Sequence, residues 1–121
     1  MKLSHTRIAQ GILIRFSGEL DHHEAGRCIE YLEKVMALYS TDRIYLDFST
    51  LTFMDSSGIA VVLNAQRNTL GAGQTLCIVG APAFVIRIFR TAGLLSRIQM
   101  EPMLPEIPDV KQKEVCANGA Q

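Results

Sequence analysis

β-rich apolar runs alternate with stretches of helical period along this chain, and that alternation leaves few folds open to it. Ile12-Leu13-Ile14-Arg15-Phe16, Arg43-Ile44-Tyr45-Leu46-Asp47-Phe48 and Thr75-Leu76-Cys77-Ile78-Val79 each read as a strand bounded by turn-forming residues. Ile8-Ala9 before Gln10-Gly11 makes the first run one arm of an opening hairpin, and Arg97-Ile98-Gln99-Met100 supplies a short last strand. Between the strands lie three helical patterns, so the order is ββαβαβαβ with short connections. This order predicts an α/β domain with a mixed sheet of four to five strands, whose parallel part is made by right-handed crossovers.

The helix boundaries carry their own signals. Asp21 stands as an N-cap with Glu24 three residues on, a capping-box variant, ahead of Ala25, Cys28, Ile29, Leu32, Met36 and Tyr39 on one face of a helix of about 17 residues. The next helix begins near Ser57, carries Ile59, Val62 and Leu63 on its core stripe and stops at Gly71-Ala72-Gly73. Ala60, Val61, Asn64 and Arg67 fall on its other side. Pro82 suits the first turn of a third helix, with Val85, Ile88, Phe89 and Ala92 facing inward, Arg87 and Arg90 facing water and Gly93 as its C-terminal cap. From Pro102 onward the periodicity ends, so residues 1–101 are expected to form the domain and 102–121 a flexible, Pro-containing tail.

Composition excludes several function classes. Of 121 residues 48% are hydrophobic and 20% charged, which suits one globular module with a proper core. Twelve basic residues balance twelve acidic ones, and without Lys/Arg clustering no nucleic-acid partner is expected. The longest aliphatic run, at 59–63, is far short of the ~18–20 residues of a membrane span, and Met1-Lys2-Leu3-Ser4-His5 lacks a signal-peptide core, so a cytoplasmic location away from membranes is expected. Cys28 and Cys77 sit inside apolar patterns and read as buried, reduced thiols, whereas Cys116 lies in the tail.

The chemistry of the chain is concentrated in Phe53-Met54-Asp55-Ser56-Ser57-Gly58, which places a hydroxyl where a β run gives way to a helix. That position is the carboxyl edge of the sheet, the usual place for sites in open α/β folds. A helix start favours negative charge through its orphan N–H groups and dipole, so a phosphate on Ser56 would be tolerated there. Asp and Ser are also ordinary caps, and Gly58 an ordinary close-packing residue. Adjacent His22 and His23 share no helix face and have no further ligand set, so no metal is expected. No phosphate-binding glycine loop occurs, and Ser56 lacks the G-x-S-x-G elbow of a hydrolase, so neither a cofactor nor catalysis is expected.

Gly18-Glu19-Leu20-Asp21-His22-His23, Leu46-Asp47-Phe48-Ser49, the Asp55-Ser56-Ser57-Gly58 segment and Phe89-Arg90-Thr91-Ala92-Gly93-Leu94, in this order and spacing, resemble the STAS-domain anti-anti-sigma factors, most closely the sigma-F type of antagonist, over roughly residues 4–100. The resemblance implies the STAS fold with about three helices mainly on one face, and aligns Ser56 with the family's phospho-accepting serine. It implies an anti-sigma factor serine kinase that binds the unmodified chain, and a PP2C-type phosphatase that resets the phosphorylated one. Glu19, Asp21, His22, Asp55, Ser57, Gly58, Ala60, Val61 and Asn64 are the residues so implied in partner binding, with Ala60, Val61 and Asn64 as a small exposed platform. Ser57 is expected to start the helix. Two other readings follow from the same resemblance: a STAS adaptor that does not cycle through phosphate, for example on a transporter, and a weak nucleotide-binding module with the helix N-terminus as cradle.

Overall fold

The computed structural model describes residues 1–39 and 41–104; the tail from residue 105, with Cys116, lies outside the described residues. Strands β1 (Lys2–Ile8) and β2 (Gly11–Leu20) form the opening hairpin, followed by α1 (Ala25–Leu38), β3 (Arg43–Met54), α2 (Ser57–Gly71), β4 (Thr75–Val79), α3 (Ala83–Thr91) and β5 (Gln99–Glu101). A 3₁₀ turn at Leu95–Arg97 precedes β5, which therefore starts two residues later than the sequence suggests. The five strands lie in sequence order across one sheet, with β1–β2 antiparallel and every later pair parallel. Three same-handed crossovers stepping in one direction must all pass over the same face.

That face holds the main core. Ile12, Ile14 and Phe16 of β2, Ile44, Leu46 and Phe48 of β3 and Ile78 of β4 meet Cys28, Leu32 and Val35 of α1, Val61, Val62 and Ala65 of α2, and Val85 and Phe89 of α3. Phe16 and Phe48 pack edge-on with ring centroids 5.0 Å apart, a favoured aromatic geometry. The opposite face is thinner: Tyr45, Cys77 and Val79 pack there with Ile8, Leu13 and Leu104. Burial pushes the Cys28 and Cys77 thiols up to about 11, so both stay protonated and act as small apolar groups. Neither is disulfide-bonded.

Both expected glycine stops are present. Gly73 and Gly93 take φ of 73°, and Gln74 N–H donates to the Thr69 carbonyl as Leu94 N–H does to Phe89, closing two Schellman motifs. Helix α1 is 14 residues long, shorter than the expected 17 or so, and its N-cap position falls at Glu24 with no side-chain cap, because the Asp21 carboxylate instead holds a turn ahead of the helix, accepting from the N–H groups of His23 and Glu24 at 3.0 and 3.2 Å. The capping box is not reciprocal, because the Glu24 carboxylate turns instead to Arg27.

Three further expectations fail, each for a physical reason. The strand expected to end at Phe48 continues to Met54, because Ser49 and Thr50, read as a boundary, are held in a bulge while pairing with β2 continues as Ser17↔Thr50, Gly18↔Leu51, Glu19↔Phe53 and Leu20↔Met54. Val61, expected on the outer side of α2, is 0% exposed. The helix is wedged between α1 and β4, so its buried arc is wider than one stripe and takes in Gly58, Val61, Val62, Ala65 and Thr69. Ala92 is exposed, because the helix closes at Thr91 and turns outward through Gly93.

Phe48→Ala should cost about 3–5 kcal/mol, since it empties the centre of the core beside Phe16. Urea unfolding with an unchanged m-value is the check.

Candidate functional site

The parallel pairing of β2 and β3 runs to the last residue of each strand, so two loops leave the sheet side by side. After the Leu20↔Met54 pair, Asp55 N–H donates to the Leu20 carbonyl at 3.3 Å, tying the start of one loop to the end of the other strand. Across this junction His22 Nδ1 lies 3.9 Å from the Asp55 carboxylate, an exposed pair of small energetic worth. The imidazoles of His22 and His23 stack with centroids 4.0 Å apart. The structure thus brings Glu19, Asp21, His22 and Asp55 to one sheet edge, although their sequence positions fall in two separate segments.

Ser56 occupies the N-cap position of α2, is exposed, and makes no capping hydrogen bond with its side chain. The cap is supplied by its neighbour. Asp55 Oδ1 accepts from Ser57 N–H at 2.8 Å, the Asp55 carbonyl accepts from Gly58 N–H at 3.0 Å, and the Ser56 carbonyl accepts from Ile59 N–H at 3.1 Å. The first-turn N–H groups that would receive an anion are therefore already engaged. This revises the expected welcome for a phosphate: Asp55 has used the helix N-terminus, and the Ser56 hydroxyl is left pointing outward as a spare group. The same occupancy argues against a nucleotide cradle at this position.

The remaining residues expected at the site divide by burial. Ser57 starts α2 and is half-buried, as expected of a structural residue. Gly58 is buried against Met54, where an added Cβ would come within 2.5 Å of the Met54 side chain. Ala60, one turn on from Ser56, is exposed, and Asn64, two turns on, is half-buried within reach of Asn68 at 3.4 Å. Val61 drops out of the surface altogether. In its place stands an apolar group that sequence reasoning missed: Phe53, 46% exposed, beside Glu19 in the sheet register. Its exposure depends on the second bulge of β3: Leu51 and Met54 both point into the core although three residues apart, so Thr52 and Phe53 between them face outward.

Electrostatically this edge leans acidic, and Arg27, the first cation of α1, is paired with Glu24 at 2.9 Å. Residues 16–26 and 48–66 contain Glu19, Asp21, Glu24 and Asp55 but no Lys or Arg, in a chain whose net charge is zero. Among the described residues no cluster of three or more metal-ligating side chains exists, and no helix is long and apolar enough to cross a membrane.

A single-sheet α/β module with helices on one face and a free serine at the carboxyl edge is the arrangement these observations define. The sequence profile of the STAS domain matches residues 4–107, and the chain belongs to that family. It is 33% identical over 85 residues to the anti-sigma F factor antagonist of Paenibacillus polymyxa, spanning 69% of this chain and 71% of that one. Its fold is similar to that of the unphosphorylated anti-sigma factor antagonist SpoIIAA, with a TM-score of 0.64, 20% identity and coverage of 88% and 91% of the two chains. The phosphorylated Bacillus cell fate determinant SpoIIAA gives 0.64 as well, at 23% identity and coverage of 82% and 90%.

Asp55→Ala should destabilise the protein by about 1 kcal/mol through loss of the α2 cap, whereas Ser56→Ala should stay within about 0.5 kcal/mol of the parent. Chemical denaturation of the two variants, side by side, tests this division between cap and free hydroxyl.

Proposed function

We propose that this chain is a cytoplasmic anti-sigma factor antagonist that switches partners through phosphorylation of Ser56. Unmodified, it binds an anti-sigma factor serine kinase and so frees the sigma factor. Phosphorylated, it is released, and a PP2C-type phosphatase resets it. The observation that carries this reading is the exposed Ser56 hydroxyl, which the fold does not use because Asp55 makes the cap. The antagonists among its relatives, and the phosphorylated form recorded for one structural neighbour, support the same reading.

The chemistry asks little of the chain itself. The Ser56 oxygen attacks the γ-phosphorus of ATP held by the kinase, the bond from that phosphorus to the β,γ-bridging oxygen breaks, ADP leaves, and the hydroxyl proton passes to a base on the kinase. Hydrolysis by the phosphatase returns the hydroxyl and inorganic phosphate. The phosphoserine adds a charge of about −2 beside Asp55, between two loops, residues 18–23 and 53–58, that carry Glu19, Asp21 and Asp55 but no Lys or Arg of their own. With the first-turn N–H groups occupied, that charge stays on the surface, where it must be desolvated by any partner that covers it. Ala60, Phe53, Glu19 and His22, which lie on the same edge as Ser56, form the docking face in this reading, with Asn64 at its far end.

Incubation with the cognate anti-sigma kinase and ATP is expected to add the mass of one phosphoryl group, mapped to Ser56. Ser56→Ala should keep kinase binding and gain no mass, and Ser56→Asp should weaken binding at least about tenfold, or ~1.4 kcal/mol. Equal calorimetric affinity of the two variants would overturn the proposal.

A further inference from the structure

The Leu46-Asp47-Phe48-Ser49 segment has no part in the docking face, yet it holds an acid whose bonds are unusual for a strand. Asp47 is only 8% exposed, on the sheet face away from the helices. Its Oδ1 accepts both from Ser49 N–H at 2.9 Å and from the Ser49 hydroxyl at 2.7 Å, while Oδ2 accepts from Arg15 Nε at 3.0 Å. These bonds straddle the first break in the β2–β3 register. Arg15 pairs with Asp47 but Ser17 pairs with Thr50, so β3 carries an extra residue here, and it gains a second between Leu51 and Phe53. On the far side of the first bulge, Thr50 Oγ1 donates to the Phe16 carbonyl at 2.9 Å and lies 2.8 Å from Ser17 Oγ. Ser49 also leans on Gly80 at the end of β4, where an added Cβ would come within 2.9 Å of the Ser49 Cβ.

We infer that Asp47 is a positioning residue of the Ser56 switch: its carboxylate clamps the bulge at Ser49 and thereby sets the register in which β3 delivers Asp55 and Ser56 beside Leu20 and Asp21. A bulge that relaxes by one residue displaces the rest of the strand by about 3.3 Å and turns its inward side chains outward. Leu51 and Met54 resist such a slip from the core side, and Asp47 resists it at the bulge itself. The Arg15 pair is separable from the clamp, because Arg15 engages Oδ2 alone and its side chain is half-exposed.

The inference rests on the reading of Ser56 as phospho-acceptor, and its test uses two readouts. With the cognate kinase and ATP, Asp47→Ala should lower kcat/KM for phosphorylation by about tenfold or more, as misplacement of a reacting group does. Asp47→Asn, which keeps an Oδ1 acceptor for Ser49, should recover to within about threefold of the parent, as should Arg15→Ala. Ser49→Ala, which removes one of the two Oδ1 bonds, should fall between, and serves if Asp47→Ala fails to fold. The second readout needs no kinase: amide exchange at Ser49 and Asp55 should accelerate in Asp47→Ala and remain slow in Arg15→Ala. Parent-like kinetics in Asp47→Ala, or equal losses in Asp47→Ala, Asp47→Asn and Arg15→Ala, would overturn the inference. If the parent itself takes no phosphate, the proposed function fails, and the exchange pattern alone decides the clamp.

Discussion

The parallel alignment of β2 with β3 is the constraint on which the rest of the site depends. It joins segments more than thirty residues apart and ends in the Leu20↔Met54 pair and the Asp55 N–H to Leu20 carbonyl bond. Both members of that last pair are buried beneath the helices, so a one-residue slip of either strand would turn a large apolar side chain out of the core. Hydrophobic burial therefore fixes, to within a fraction of a residue spacing, where a surface hydroxyl stands. The acidic edge follows from the same alignment, because Glu19, Asp21 and Asp55 lie together only if those strands are paired in that register.

The sheet gains this precision by tolerating irregularity. Two extra residues in β3 disrupt an otherwise regular ladder, and such interruptions leave backbone groups that need other partners. Asp47, Ser49, Thr50 and Ser17 supply side-chain bonds at the first of them. A bulged strand twists more strongly than a regular one, and the extra length carries β3 well beyond β4, which pairs with it only from Arg43 to Asp47. The overhanging half, paired on one side alone, is the part that leads into the edge carrying Ser56.

Most of the architecture was legible in the sequence because it is written in periodicity and in glycine. The ββαβαβαβ order, the two Schellman stops at Gly73 and Gly93 and the β4 bounds were all readable from local pattern. What was not legible depends on neighbours. Ser49 and Thr50 have the composition of a strand boundary, and only pairing with Ser17 and Phe16 makes them strand. Val61 has the spacing of an outer position on α2, and only the flanking α1 and β4 bury it. Phe53 was hidden by the same error, since its exposure depends on a bulge in the part of β3 beyond Phe48, where the strand was thought to end. Ser56 was placed correctly because its position needs only a strand before it and a helix after it.

The order of the two residues at the helix start has a thermodynamic consequence. Were Ser56 the cap of α2, esterifying its hydroxyl would disturb a bond worth about 1 kcal/mol to the helix, and the modification state would be coupled to stability. Asp55 takes that role through Oδ1 and its own carbonyl, so the hydroxyl one residue later carries no structural duty. Gly58, buried on Met54, lets the first turn of α2 sit close against the end of β3, so the hydroxyl projects from a braced turn and not from a loose loop. A group that is free of the fold and yet held by it can change charge without asking the protein to refold. In the proposed cycle the whole effect of phosphorylation is then available for discriminating between partners, because none of it is absorbed by rearrangement of the domain.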